Sequence, residues 1–441
     1  MAAEAADRGN IFLMTYTRKT LSNGIKLISA PMHETKAVTA LVMVGVGSRY
    51  ETPHINGGSH FIEHLLFKGT KRRPTALDIT KELDGVGAEY NAFTSKDYTG
   101  YYIKIDGEKL ALAIDILGDM IWHSTYQPAE VERERGVIIE EINMYEDNPM
   151  MHMEDLFEQT IFGRHPLGWL ISGTRETMKA MSRTALLEYQ KKTYRPDNMV
   201  VAVAGRFDAK HLESLVHTHF GGPQRARGRT PTFRRFSGHP IGPRVTVKTK
   251  ETEQVQMALG VPAVSGTHAD LPALNLLGTI LGGNMSSRLF MEVREKRGLA
   301  YFVRAGTGTY QDTGLFMVQA GLERTRIEEA ITAILGELGK VAKRGVTAVE
   351  LTRAKEYAHG KLVLELEDSQ SIASFAGRQL LLERKFETPE QKMAKLRAVA
   401  RADLQRVAAK YFRRKALALA LIGPFNDPKP FRRLLERAPL G

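Results

Sequence analysis

The sequence predicts an α+β protein of two similar domains, each a mostly antiparallel sheet with helices packed on one side. Three observations carry that prediction. Short β-branched runs and helical periodicities follow one another in the same order in residues 1–222 and in residues 244–441. The two halves also end alike. Tyr194 precedes the apolar run Val200–Ala204 and then Gly205-Arg206-Phe207-Asp208, while Tyr411 precedes the run 416–422 and then Gly423-Pro424-Phe425-Asn426. Between the halves, residues 223–243 are basic and dense in glycine and proline, the composition of a linker. A repeat of about 220 residues is too long for a solenoid and implies an internal duplication of a whole domain.

In the first half, Ile25–Ser29 and Ala37–Val44 are rich in β-branched residues and are punctuated by Ser22-Asn23-Gly24 and Gly47-Ser48, so both are predicted strands. A helix is predicted over about 57–68, and Pro74-Thr75-Ala76-Leu77 opens a second that ends near Gly85 or Gly87. Ala88–Thr94 and Tyr98–Asp106 read as strands around a Ser95-Lys96-Asp97 turn. Helical periodicity covers Glu108–His123, resumes at Pro128 in a glutamate-rich stretch, and runs on through 150–192 with breaks at Gly163 and Gly173; Asn198–Gly205 is a closing strand. In the second half, strands are predicted at 244–250 and 254–262, helices at about 268–281 and at Met285–Lys296, and strands at Leu299–Gly306 and Gly314–Gly321. Long helices fill 325–413, and Ala416–Ile422 is the last strand.

A chain of 441 residues can bury two substantial cores, and 43% hydrophobic with 25% charged residues is an ordinary globular balance. There is no cysteine, which excludes disulfides and thiolate metal ligands. The net charge is +12, concentrated in part at Arg225, Arg227, Arg229, Arg234 and Arg235 of the linker, where no acidic residue intervenes. Basic tracts outside a recognition fold read as solvated, so no nucleic-acid partner is expected. Met1–Asn10 has no apolar stretch and carries Glu4 and Asp7, and no apolar run reaches the length of a membrane span. The expectation is a soluble, cytoplasmic protein with no membrane partner.

The chemistry concentrates in Gly57-Gly58-Ser59-His60-Phe61-Ile62-Glu63-His64-Leu65-Leu66-Phe67-Lys68-Gly69, which contains H-x-x-E-H. On a helix, His60 and His64 share a face and can hold one metal ion, with Zn²⁺ the usual partner of imidazole nitrogens. Glu63 reaches the rim of that site, placed to take a proton from water. The apolar flanks predict a buried helix, and two histidines and a glutamate buried together need something to satisfy them. This spacing inverts the H-E-x-x-H order of many zinc proteases. The rival pair His217 and His219 does not share a helix face, and no acidic cluster follows it.

A catalytic zinc usually takes three protein ligands, and without cysteine the third must be His, Asp or Glu. The best-stocked segment is 130–142. Glu134 and Glu141 lie two helical turns apart and share a face with apolar residues Val137, Ile138 and Ile142, whereas Glu140 lies about 100° away. Glu130 and Glu132 read as surface partners of Arg133 and Arg135.

The H-x-x-E-H followed by E-R-x-V-I-x-E-E, with Glu141 77 residues beyond His64, resembles the pitrilysin/insulinase family of zinc metallopeptidases. The mitochondrial-processing-peptidase-like branch, whose chains have this length, is the nearest in kind. The resemblance implies His60, His64 and Glu141 as ligands of one Zn²⁺, Glu63 as general base and Glu134 as an acidic residue supporting catalysis. A register slip of one residue would make Glu140 the ligand instead. It further implies that Arg294 and Tyr301, in Arg294-Glu295-Lys296-Arg297-Gly298-Leu299-Ala300-Tyr301, bind substrate, the tyrosine donating to the scissile carbonyl. Gly87–Thr94 is similar to the family's edge strand, which places Asn91 and Ala92 beside a peptide bound in extended form. The second half has no H-x-x-E-H at its equivalent helix, Leu271–Leu277, so one metal per chain is expected. The expected function is zinc-dependent endopeptidase action on peptides or unfolded segments, by a homodimer or by a heterodimer with a related subunit. A non-catalytic scaffold subunit of the same family is the alternative.

Overall fold

The computed structural model describes residues 14–222, 231–238, 242–383 and 385–441. The first half contains β1 (Thr17–Thr20), β2 (Lys26–Pro31), β3 (Ala37–Val44), α1 (Gly58–Leu66), α2 (Ala76–Asp84), β4 (Glu89–Thr94), β5 (Thr99–Asp106), α3 (Leu110–His123), α4 (Pro128–Asp147), α5 (Pro149–Phe162), α6 (Arg175–Ala180), α7 (Arg183–Thr193), β6 (Met199–Gly205) and α8 (Ala209–Phe220). The second contains β7 (Arg244–Thr249), β8 (Gln254–Ala263), α9 (Leu271–Gly282), β9 (Ala300–Thr309), β10 (Gly314–Glu323), α10 (Ile327–Arg344), α11 (Ala348–Glu365), α12 (Ser369–Leu382), α13 (Pro389–Ala398), α14 (Arg401–Tyr411), β11 (Ala418–Gly423) and α15 (Lys429–Glu436). None of the described helices is long and apolar enough to cross a membrane.

The two sheets have the same topology. The first runs β1-β2-β6-β3-β5-β4 and the second β7-β11-β8-β10-β9. If β1 is set aside as an added edge, β2, β6, β3, β5 and β4 correspond one for one to β7, β11, β8, β10 and β9. In each sheet the first pair is parallel and every other pair antiparallel. Even the register agrees at the exit glycines: Gly205 pairs with Pro31, and Gly423 with Thr249, each at the last position of its parallel ladder. The α+β duplication expected from the strand exits is therefore present in the hydrogen bonding.

Each half packs its own helices on one face of its sheet. On β3, Val38, Ala40, Val42 and Val44 join α1, α3 and α4 in one core. The alternate residues Leu41 and Met43 face a different partner, Ile372, Ala373 and Ala376 of α12, which comes from the second half. Gly377 lets this helix approach, since a Cβ there would lie 2.8 Å from Met43 Sδ. The exchange is reciprocal. Helix α5 of the first half crosses to the second sheet, where Met153, Phe157 and Ile161 pack on Ala258, Ala420 and Ile422. With both faces covered, β3 is almost wholly apolar instead of alternating, and its one polar residue, Thr39, hydrogen-bonds Ser369 of α12 at 2.8 Å.

Some sequence expectations are corrected in detail. Met285–Lys296 is not one regular helix: residues 285–287 form a turn, and Phe290–Glu295 winds as a π-helix, Lys296 N–H donating to Met291 O at 3.0 Å. Val137 is 46% exposed and does not join Ile138 and Ile142 in the core. Of the linker, Arg225, Arg227 and Arg229 lie outside the described residues. Residues 231–238 keep Arg234 and Arg235 exposed, but Phe233 lies 3.8 Å beneath the Arg49 guanidinium and Phe236 stacks edge-on against Phe162 and His165.

Candidate metal centre

Helix α1 begins without a Ser, Thr, Asp or Asn cap. Its N-cap is Gly57, at φ +94°, where a side chain would also strike Ser172 O at 2.6 Å. The free N–H groups of the first turn are met from outside by buried Glu51, which accepts from Gly57 N at 2.8 Å and Ser59 N at 2.7 Å, with Asn56 Nδ2 at 3.0 Å. Burial pushes the Glu51 carboxyl up to about 7 against those three hydrogen bonds. Phe61, Ile62, Leu65 and Leu66 are fully buried and fix the helix's rotation. His60 and His64 are then turned toward α4, their ring centroids 4.7 Å apart.

Glu141 meets them. Its Oε2 lies 3.5 Å from His60 Nε2 and 3.6 Å from His64 Nε2. Among the described residues, His60, His64 and Glu141 are the one group of three whose donor atoms converge, all within 4.8 Å of one another. Glu140 is exposed, and its carboxylate accepts from Asn143 Nδ2 at 3.3 Å. Glu141, not its neighbour, faces the imidazoles.

Glu134 does not converge with the three donors. It sits behind His64, its Oε2 3.1 Å from Nδ1, while its Oε1 pairs with Lys68 Nζ at 2.8 Å. A carboxylate on Nδ1 holds the tautomer whose Nε2 lone pair points into the site, the arrangement that orients metal-bound histidines generally. Burial pushes the His60 imidazole down to about 4, with the charge of His64 adding to it and Glu141 opposing. Burial also disfavours the charged form of His64, but the hydrogen bonds it donates to Glu134 and Glu141 prevail and raise it to about 9. Glu141 is held below the usual carboxylate range, first by its hydrogen bond to His64. Burial raises Glu63, partly offset by Thr94 Oγ1 donating to its Oε2 at 2.5 Å.

The donor set fits zinc. His60 Nε2 faces the carboxylate oxygen Glu141 Oε2 at 3.5 Å, and the buried Nδ1 of His60 has no hydrogen-bond partner. With the His60 proton on Nδ1, Nε2 offers a lone pair beside the carboxylate oxygen, and a cation between the two satisfies both. Tetrahedral ligands about 2.1 Å from zinc stand about 3.4 Å apart, close to the two spacings observed.

The other expected site residues lie elsewhere. Asn91 and Ala92 are on β4, which is the free edge of the first sheet; Asn91 Oδ1 accepts from the Ala92 N–H at 2.8 Å. Tyr301 is on β9, the corresponding edge of the second sheet, and is 69% exposed. The Arg294 guanidinium lies over the rings of Phe290, at 4.8 Å, and Tyr301, at 5.9 Å. Arg294 and Tyr301 are thus brought to each other, but not into contact with the imidazole–carboxylate cluster. Sequence reasoning missed Lys68 and Thr94. Lys68 carried a usable signal, lying one helical turn beyond His64.

Two family models match the chain. Insulinase (Peptidase family M16) covers residues 26–175, and Peptidase M16 inactive domain covers residues 180–357. The chain is 37% identical to an uncharacterised zinc protease of Streptomyces coelicolor, over 96% of this chain and 93% of that one. It is also 37% identical to an uncharacterised zinc protease of Bacillus subtilis, over 93% and 98%. The mouse mitochondrial-processing peptidase subunit beta is 31% identical over 94% of this chain and 86% of its own. A protease from Helicobacter pylori superposes with a TM-score of 0.87 at 25% identity, covering 94% of this chain and all of that one. With matches of this extent on both halves, the chain belongs to the M16, or insulinase, family of peptidases.

Proposed function

We propose that the chain is a zinc-dependent endopeptidase, one Zn²⁺ per chain, acting on peptides or unfolded protein segments. The observation that carries this reading is the convergence of His60 Nε2, His64 Nε2 and Glu141 Oε2 with Glu63 on the same helix at their rim. A zinc ion held by these three residues would supply Lewis acidity toward a peptide carbonyl and make water more acidic. Glu63, raised by its burial, is suited to take a proton from water and deliver it to the leaving amine. Glu134 keeps His64 in the tautomer that leaves Nε2 free, which makes it a positioning residue.

Substrate in this reading lies along β4 as an added strand, with Asn91 yielding the Ala92 N–H to a peptide carbonyl. Arg294 and Tyr301 act from the second sheet, the phenol donating to the developing oxyanion. The working unit is a homodimer or a heterodimer with a related subunit, which lets the exposed Tyr301 edge of one copy face the metal centre of another. Nucleic acid and membrane are not partners.

The relatives named as zinc proteases support a peptidase. The word inactive attaches to the model matching residues 180–357, which excludes α1 and α4. Glu63→Gln tests the mechanism. The variant is expected to keep one zinc per chain and to lose cleavage of a quenched peptide. Equal turnover by the variant refutes the role of Glu63. If zinc-loaded wild-type protein shows no chelator-sensitive cleavage, the scaffold alternative stands instead.

A further inference from the structure

Glu63 can serve as a base only if its carboxylate is held in one orientation, and α1 itself does not hold it. The hydrogen bond comes from Thr94, the last residue of β4, whose Oγ1 donates to Glu63 Oε2 at 2.5 Å. Among the described residues, Oε1 of Glu63 receives no hydrogen bond. One oxygen is therefore tied and the other is left to accept a proton.

Thr94 is itself held by the turn that leaves β4. Ser95, Lys96 and Asp97 of this turn are fixed from three directions. Ser48 N donates to Ser95 O and Arg49 N to Lys96 O, each at 3.1 Å. Buried Lys96 pairs with Glu158 of α5 at 2.9 Å. Buried Asp97 pairs with Arg49 at 3.0 Å and accepts from Gln311 N, in the β9–β10 turn of the second half, at 3.0 Å. A threonine at the end of a free strand would ordinarily fray, but this one stands at the start of a buried turn anchored to both halves.

We propose that Thr94 is the positioning residue of the general base: its hydroxyl fixes Glu63 Oε2 and aims Oε1 at the reacting water. The inference rests on the peptidase reading above and deepens it. It also joins the substrate strand to the catalytic group, since Thr94 lies two residues beyond Ala92 on the same strand and the same sheet face.

Thr94→Val keeps the shape of the side chain and removes the donor; Thr94→Ser keeps the donor and removes the methyl. Hydrogen bonds to charged groups and the exponential dependence of rate on barrier height predict about a tenfold to hundredfold lower kcat for Thr94→Val. KM should stay within about twofold, zinc content should be unchanged, and Thr94→Ser should recover most of the loss. Crystal structures of the two variants give a readout independent of turnover. In Thr94→Val the Glu63 carboxylate is expected to rotate or to occupy more than one orientation, and in Thr94→Ser it stays in place. Unchanged kcat in Thr94→Val, an equal loss in Thr94→Ser, or a wild-type Glu63 orientation in Thr94→Val overturns the proposal. If the wild-type enzyme cleaves nothing, the peptidase reading fails, and the orientation of Glu63 still decides whether Thr94 holds it.

Discussion

Metal binding at this site competes with one proton, and the competition can be measured. Without metal, His64 is raised to about 9 by the hydrogen bonds of Glu134 and Glu141, while burial pushes His60 down to about 4. At pH 7, then, His60 is neutral and ready to bind, whereas His64 carries a proton that the metal must displace. Two pH units below its pKa, that displacement costs about 2.7 kcal/mol, or about a hundredfold in apparent affinity. Affinity for Zn²⁺ therefore rises about tenfold per pH unit from about pH 6.5 to about pH 9, then levels off. Glu134 and Glu141 are held low and release nothing in this range. Calorimetric titration of zinc into metal-free protein, in buffers of differing ionisation enthalpy, should find about one proton released per zinc at pH 7. Glu134→Gln removes the first of the two carboxylates that raise His64, and should reduce both the proton release and the slope. An affinity that is flat between pH 6.5 and 8.5, or binding at pH 7 without proton release, would refute the reasoning.

Three further outcomes are expected. Glu141→Gln should lose zinc on dialysis, whereas Glu140→Gln, altering an exposed carboxylate, should keep one per chain by metal analysis. Glu51 is held protonated up to about pH 7 in the folded chain but ionises near 4.5 when unfolded. The folded state therefore holds a proton that the unfolded chain has lost between pH 4.5 and 7, and stability falls as pH rises through that window, by about 3 kcal/mol from this group. Glu51→Gln should flatten that part of the stability profile in urea titrations, and an unchanged profile would count against the assignment. Phe157→Ala empties the contact between α5 and the second sheet, where Phe157 is fully buried. It should cost about 3–5 kcal/mol of unfolding free energy, and a loss under 1 kcal/mol would mean that the exchanged helix adds little to the stability of the fold.

The duplication was legible because it is written in local signals. Strand exits at Gly205 and Gly423 require tight turns, and β-branched runs mark strands whatever they pack against. The imidazole pair was legible for a similar reason, since i, i+4 on α1 is a property of a helix alone; i, i+7 on α4 marked only a face shared by Glu134 and Glu141, and Glu141 was singled out by the family resemblance. What escaped were contacts between elements. Glu51 caps α1 across a loop, in place of the Ser or Thr that local rules seek at the N-cap. Thr94 reads as an ordinary strand residue until β4 is laid beside α1. Arg294 and Tyr301 form a recognisable pair, yet neither spacing nor composition says what they face.

The helix exchange was the least legible feature. Periodicity identifies the apolar stripe of α5 but not the sheet that receives it. In space, α4 ends at Asp147 and α5 begins at Pro149, with Asn148 alone between them and its side chain capping α5 through Met150 N at 3.1 Å. Glu141 thus stands on a helix that leads, within two turns, into one clamped on the second sheet. His60 and His64 stand on a helix packed against the first. The 3.5 and 3.6 Å spacings of the three donors are set within the first half, where Ile138 and Ile142 of α4 share a core with Phe61 and Leu65 of α1. The reciprocal packing of α12 on the first sheet and the Arg49 bridge to Asp97 at 3.0 Å and Asp312 at 2.8 Å hold the two halves together from the opposite side. The second half contributes no ligand to the cluster; its tie to the site runs through α5, which continues from the C-terminal end of the glutamate-bearing helix and packs on the second sheet.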